Sequence, residues 1–263
     1  MKSEVFNGQR FWSYFKYDLV QMWRNHMTAA IGIGLSGFVV YVVTVLFNLI
    51  VAHTWSGPGF EGRLTVMFLA FLALQLYQTR TYGYLTDRRK GSAWLMLPAS
   101  TTEKWVSMLL MTLIVIPVLF VVVFFGVDAL LCLADKGIGE SLMGSIAHIR
   151  GDMMSSSEYV ISPGMAVWIL LMGFFGNFLY MLLCGICFRK NKILWAIAIT
   201  VAVSILLSGI LGPAFARSSE SIDLLVRDQA ALDASLLWSG IITTIYALGL
   251  AGGVFARLKT IKH

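Results

Sequence analysis

Charge is the first shortage in this chain. Of 263 residues only 13% are Asp, Glu, Lys or Arg, against 58% hydrophobic. A soluble domain carries about a quarter of its residues as charges to cover its surface, and a mean hydropathy of +0.77 excludes that class. Cysteine is scarce too. Cys132, Cys184 and Cys187 all lie in or at the ends of apolar stretches, so no disulfide framework is expected. His26, His53, His148 and His263 are scattered over loops and span ends, whereas a metal centre needs convergent ligands. No Gly-rich phosphate loop ending in Lys-Ser or Lys-Thr occurs. No catalytic, metal-binding or cofactor-binding residue is assigned, and an enzyme is not expected.

What is present is a run of apolar stretches, each able to cross a bilayer, which takes roughly 20 residues. They cover about 29–52, 63–79, 105–133, 164–187, 193–212 and 236–256. The expected fold is an all-α integral membrane domain of six transmembrane helices over 29–256. A leader precedes it at 1–28 and a tail follows at 257–263. Of the 20 Lys and Arg, 15 fall in segments 1–28, 80–104, 188–192 and 257–263. Ten of the 14 acidic residues lie outside those segments. Basic segments beside spans stay in the cytoplasm, so both termini are expected there. The net charge of +6 is spread over these juxtamembrane segments, where orientation and anionic headgroups account for it. Nucleic acid is therefore not an expected partner; the lipid bilayer is.

The leader is expected to hold an amphipathic interfacial helix over 8–25. At 100° per residue Phe11, Trp12, Phe15, Leu19, Met22 and Trp23 share one arc of about 120°. Arg10, Ser13, Tyr17, Gln21, Arg24 and Asn25 lie opposite, a distribution that suits the headgroup boundary. Pro117 is expected to kink the third span. Gly32, Gly34, Gly173, Gly176, Gly252 and Gly253 allow close helix approach. Residues 142–149 have the spacing of a short amphipathic helix. The basic turn Arg189-Lys190-Asn191-Lys192 makes spans four and five a tight hairpin. Cys184 and Cys187 have the spacing of redox and metal sites, but one such pair without a second reads as small apolar residues at a helix interface. Asp128 reads as lying in the outer headgroup layer, with a transported-ion site as the alternative.

The loop after span two runs Asp87-Arg88-Arg89-Lys90-Gly91-Ser92-Ala93-Trp94-Leu95-Met96-Leu97-Pro98-Ala99-Ser100-Thr101-Thr102-Glu103-Lys104-Trp105. Pro98 disfavours helix at Leu97, and Ser100 with Glu103 forms the Ser-x-x-Glu capping box at the start of span three. A short helix at about 88–97, a turn and a capped span are expected. This loop resembles that of the membrane subunits of ABC-2 type transporters, whose Leu-Pro-x-Ser turn is matched by Leu97, Pro98 and Ser100. The six-span layout is similar as well. The chain departs from the family pattern at Thr101, Ser107 and Met108, where basic residues are frequent, and the resemblance assigns no substrate.

The resemblance implies a permease subunit of an ATP-driven exporter in a bacterial inner membrane, paired with a second permease copy or a related permease. A separate ATPase subunit would rest on Arg88, Arg89, Lys90, Leu97, Pro98, Ser100 and Glu103. The alternative is a non-transporting membrane partner, such as a sensor, immunity or assembly factor with the same fold.

Overall fold

The computed structural model describes residues 6–86, 91, 94, 96–148, 163–205 and 229–260. Every element among them is helical. In chain order they are α1 (Gly8–Gly34), α2 (Ser36–Val51), α3 (Phe60–Thr81), a 3₁₀ turn (Gly83–Thr86) and α4 (Thr101–Leu110). A π turn (Met111–Val115), α5 (Ile116–Ala134) and a 3₁₀ turn (Lys136–Ile138) follow. Then come α6 (142–148), α7 (Pro163–Cys187), α8 (Lys192–Ile205) and α9 (Gln229–Thr260).

Five stretches among the described residues are long and apolar enough to cross a bilayer: Gly8–Val51, Phe60–Thr86, Thr101–Ala134, Gly164–Cys187 and Ala234–Thr260. Their large apolar side chains point outward. Phe47, Ile50, Leu170, Trp238, Ile242 and Leu248 are each more than 60% exposed. Water would not tolerate that surface, while lipid matches it. The chain is an all-helical membrane protein. Within the fifth expected span, 193–212, the described residues form the shorter apolar helix α8, and 206–212 lies outside them.

The chain forms two compact units, one of residues 7–77 and 106–157, the other of 1–6, 78–105 and 158–263. We call the first the charged-pair unit and the second the hairpin unit. In the charged-pair unit, Asn7 starts α1 by accepting from the N–H groups of Gln9 and Arg10 at 3.0 and 3.4 Å, as an N-cap does. α1 continues through residues 26–28, where the sequence reading divides leader from span. Nothing there stops a helix, and the break comes at Leu35 instead. Gly34 lies against Val123 so closely that a Cβ would come within 2.8 Å of it. The expected apolar arc is divided: Met22 is buried, Phe11, Phe15 and Leu19 are half-buried, and Trp12 and Trp23 are exposed. Tyr14, Asp18, Met27 and Ala30 complete the buried edge.

Pro117, where a kink is expected, lies just after a π turn. Its ring removes the hydrogen bond to residue 113 and crowds that carbonyl. The helix widens into the Met111–Val115 π turn, in which the Ile116 N–H reaches Met111 O. A π turn inserted in an α-helix re-satisfies the freed backbone groups without breaking the span. The core of this unit is Leu74, Met108, Met111, Ile116, Phe120 and Phe124.

In the hairpin unit α7 lies against α9 over a core that includes Phe178, Leu182, Ile186 and Val254. Glycines set the approach. A Cβ at Gly240 would meet the Trp168 ring at 2.7 Å, and one at Gly176 the Tyr246 ring at 2.9 Å. Tightest of all, a Cβ at Gly185 would lie 2.5 Å from the backbone oxygen of Thr79.

Candidate functional site

Two places gather polar groups into otherwise apolar surroundings. The first is the segment before α4, where the sequence locates the partner loop. Ser100 and Glu103 form the expected capping box: the Ser100 N–H donates to Glu103 Oε2 at 2.9 Å, and the Glu103 N–H donates to Ser100 Oγ at 3.3 Å. Both side chains are buried, Glu103 fully. A carboxylate there also lies at the positive end of the helix dipole. The next residue locks the loop from the other direction. Lys104 Nζ donates to Trp94 O at 2.9 Å and sits 4.5 Å from the centre of the Trp94 ring. Ala99 N–H bonds back to Leu97 O at 2.8 Å across Pro98, a tight three-residue turn. The result is a braced tip: Met96 is 85% exposed, Pro98 is exposed, and Leu97 is half-buried.

This segment is tied at both ends inside the hairpin unit. Upstream, Lys192 Nζ donates to Gly83 O and to Thr86 Oγ1, the latter at 2.7 Å. Downstream, Trp105 Nε1 donates to Ala251 O at 3.1 Å and its ring packs edge-on against Phe255 at 5.4 Å. Of the residues expected to meet a partner, Leu97 and Pro98 belong to the tip, while Ser100 and Glu103 face inward and hold it. Arg88, Arg89 and Lys90 lie outside the described residues, as does most of the short helix expected at 88–97.

The second place is in the charged-pair unit. Arg63, in the first turn of α3, donates through Nη1 to Asp128 Oδ1 at 3.0 Å, and both side chains are under 10% exposed. The other Asp128 oxygen accepts the Leu142 N–H at 2.6 Å. Arg63 also donates to Cys132 Sγ at 3.1 Å and Glu140 O at 2.8 Å. Asp128 is therefore buried and paired. One of its oxygens accepts from Arg63 and the other from the start of α6. Arg63 Nε finds no acceptor among the described residues. A cavity of about 20 Å³ borders Arg63, Asp128 and Tyr41, enough for one water molecule.

Nearby, Asp135 caps the end of α5. It accepts from Tyr41 OH at 2.9 Å, Trp55 Nε1 at 3.2 Å and Gly137 N–H at 2.9 Å. The Gly137 N–H first, and then the Tyr41 hydroxyl, hold its carboxyl below the usual range. Deeper in the same unit, buried Asp18 accepts from Ser107 Oγ at 2.7 Å. Neither Arg63 nor Asp18 stands out in the sequence, because each partner is more than 60 residues away.

The Cys184–Cys187 pair does not form a common site: Cys184 is buried and Cys187 exposed. Among the described residues no group of three His, Cys, Asp or Glu side chains converges. No family model, curated protein or solved structure matches this chain.

Proposed function

We propose that the chain is the membrane-spanning permease subunit of an ATP-driven ABC-2 type exporter. In this reading it has six spans, cytoplasmic termini and a place in a bacterial inner membrane. It pairs with a second permease copy or a related one, and a separate chain hydrolyses ATP. The observation that carries the reading is the braced tip at Met96–Pro98. A coupling element must be rigid where it is pushed and tied to the helices that move. The capping box and the Lys104–Trp94 lock supply the first property. The bonds to Lys192 and Ala251 supply the second, because they join the loop directly to α8 and α9. In this reading the basic residues Arg88, Arg89 and Lys90 supply positive charge that suits an acidic partner.

The test is an affinity pull-down of the full chain from its native membrane in gentle detergent, followed by an ATPase assay. An ATPase chain should co-purify, and replacing Arg88, Arg89 and Lys90 by Gln should remove most of it without lowering the melting temperature. Recovery of the same ATPase with the triple variant would overturn the coupling role of these residues. A chain that never brings an ATPase with it belongs instead to the class of non-transporting membrane partners.

A further inference from the structure

Beside the tied loop lies a groove of about 820 Å³, within the size range of ligand sites. Its position is set by where helices end. Arg80 stands in the last turn of α3, Arg189 follows the end of α7 at Cys187, and Lys192 opens α8. The ends of apolar helices mark the depth at which hydrocarbon gives way to headgroups. Phe188 and Trp195 stack at the same turn, 5.6 Å apart, and aromatic rings favour that depth.

The rim is cationic and contains no carboxylate among its lining residues. Lys192 is fixed by its bonds to Gly83 and Thr86, so its charge is held in place. Arg80 and Arg189 are exposed and make no hydrogen bond or ion pair among the described residues. Asn191 lets the chain reverse between Arg189 and Lys192. Its φ is +49°, a left-handed conformation that Asn tolerates better than most residues. The first N–H groups of α8 have no acceptor within their own helix and add to the positive field.

The rest of the groove is aliphatic. Leu194 and Ile197 line it and are 62% and 45% exposed. Ile197, Val201 and Ile205 recur every four residues, so they continue as one exposed stripe along α8 away from the rim. A fixed cationic rim leading into an apolar stripe selects an amphiphile with a negative head. A free phosphate would leave the stripe unused. A zwitterionic headgroup would bring a cation to a rim with no carboxylate to receive it. We infer that Arg80, Arg189, Lys192, Leu194 and Ile197 form a binding site for an anionic phospholipid, with its phosphate at the arginines and an acyl chain along α8. The inference requires only the membrane setting and does not depend on the chain being a permease.

Native mass spectrometry of the full detergent-solubilised chain tests it, with phosphatidylglycerol and phosphatidylcholine of identical acyl chains as probes. The wild type should retain phosphatidylglycerol preferentially. Arg80→Gln with Arg189→Gln should lower that preference by roughly thirty-fold, since each basic residue near a membrane surface contributes about a factor of five. Leu194→Gln should weaken retention of both lipids. Lys259→Gln, a basic residue outside the groove, should leave the preference intact. Equal retention of the two lipids by the wild type would overturn the inference, and so would a double variant that keeps its preference. An equal loss in Lys259→Gln would assign the effect to overall charge and overturn it too. Displacement of phosphatidylglycerol by an equimolar amount of inorganic phosphate would do the same. Both arginines are exposed, so folding is not at stake in their replacement; an unchanged melting temperature checks this.

Discussion

The two units hold their helices together by different means. In the hairpin unit, α7 meets α9 through fits of ring against glycine: Trp168 on Gly240 and Tyr246 on Gly176. In the charged-pair unit, α3 is joined to α5 by Arg63 and Asp128, and α1 to α4 by Asp18 and Ser107. Lipid tails are as apolar as leucine, so apolar burial alone gives two helices little reason to prefer each other over lipid. What remains is close backbone approach or polar pairing; the α7–α9 seam relies on the first and the buried Arg63–Asp128 joint on the second, although Gly34 also packs on Val123 and Lys192 also bonds Thr86. The two devices should fail differently. A polar joint fails when one partner is removed and the other is stranded. A steric joint fails when a few atoms are added.

The largest effect is expected at the polar joint. Arg63→Ala or Asp128→Ala leaves a buried charge without its counter-ion and should cost about 3–5 kcal/mol. Unfolding of each variant in one detergent measures it. Arg63→Met with Asp128→Leu removes both charges and fills the space, and should cost less than either single change. A double variant as unstable as the sum of the singles would mean that the two residues act separately, and the contrast between the units would lose its main support.

The steric joint gives the next effect. Gly185→Ala places a methyl group 2.5 Å from the Thr79 carbonyl oxygen. Backbone cannot swing aside as a side chain can, so a cost of about 1–3 kcal/mol is expected. Gly240→Ala meets the Trp168 ring at 2.7 Å, and the ring can give way, so the cost should be smaller. Gly173 has nothing within 4 Å, and Gly173→Ala should gain about 0.5–1 kcal/mol, the helix preference of Ala over Gly. If all three unfold alike, close approach is not what joins these helices.

The contrast also explains what the sequence makes legible. Helical spans follow from composition and length, which are local properties, and the long apolar helices lie where the hydropathy locates them. The Ser100–Glu103 capping box is legible because its two partners are three residues apart. Of the glycines singled out for close packing, Gly34, Gly176 and Gly253 face side chains, whereas Gly32, Gly173 and Gly252 face open space. Composition says that a glycine permits approach and cannot say which face receives a neighbour. Gly185 lies between two cysteines with the spacing of a redox or metal site, and nothing local marks that its Cβ would come within 2.5 Å of the Thr79 backbone oxygen. Arg63 and Asp128 are 65 residues apart, and no periodicity links them. Pro117 signals a disturbed helix, but whether the outcome is a kink or a π turn depends on which carbonyls the neighbouring turn can re-satisfy.

The smallest effect distinguishes the units by pH. Asp135 lies just beyond the end of α5 and accepts three hydrogen bonds. Its carboxyl is held below the ordinary value of 3.8, chiefly by the Gly137 N–H and then by the Tyr41 hydroxyl. A carboxyl lowered on folding adds stability that is complete above its unfolded pKa and is lost as pH falls through the folded one. The margin of the wild type over Asp135→Asn should therefore be constant from neutral pH down to about 5. It should shrink only as the solution passes below the usual carboxylate range. Melting temperatures of the two proteins, measured side by side from pH 7 to the acid limit of the detergent, read this margin directly. A margin that instead grows on acidification would have the wrong sign for a lowered carboxyl. A margin that stays flat to the acid limit would mean that the cap is held by bonds that asparagine also makes, with no contribution from the charge.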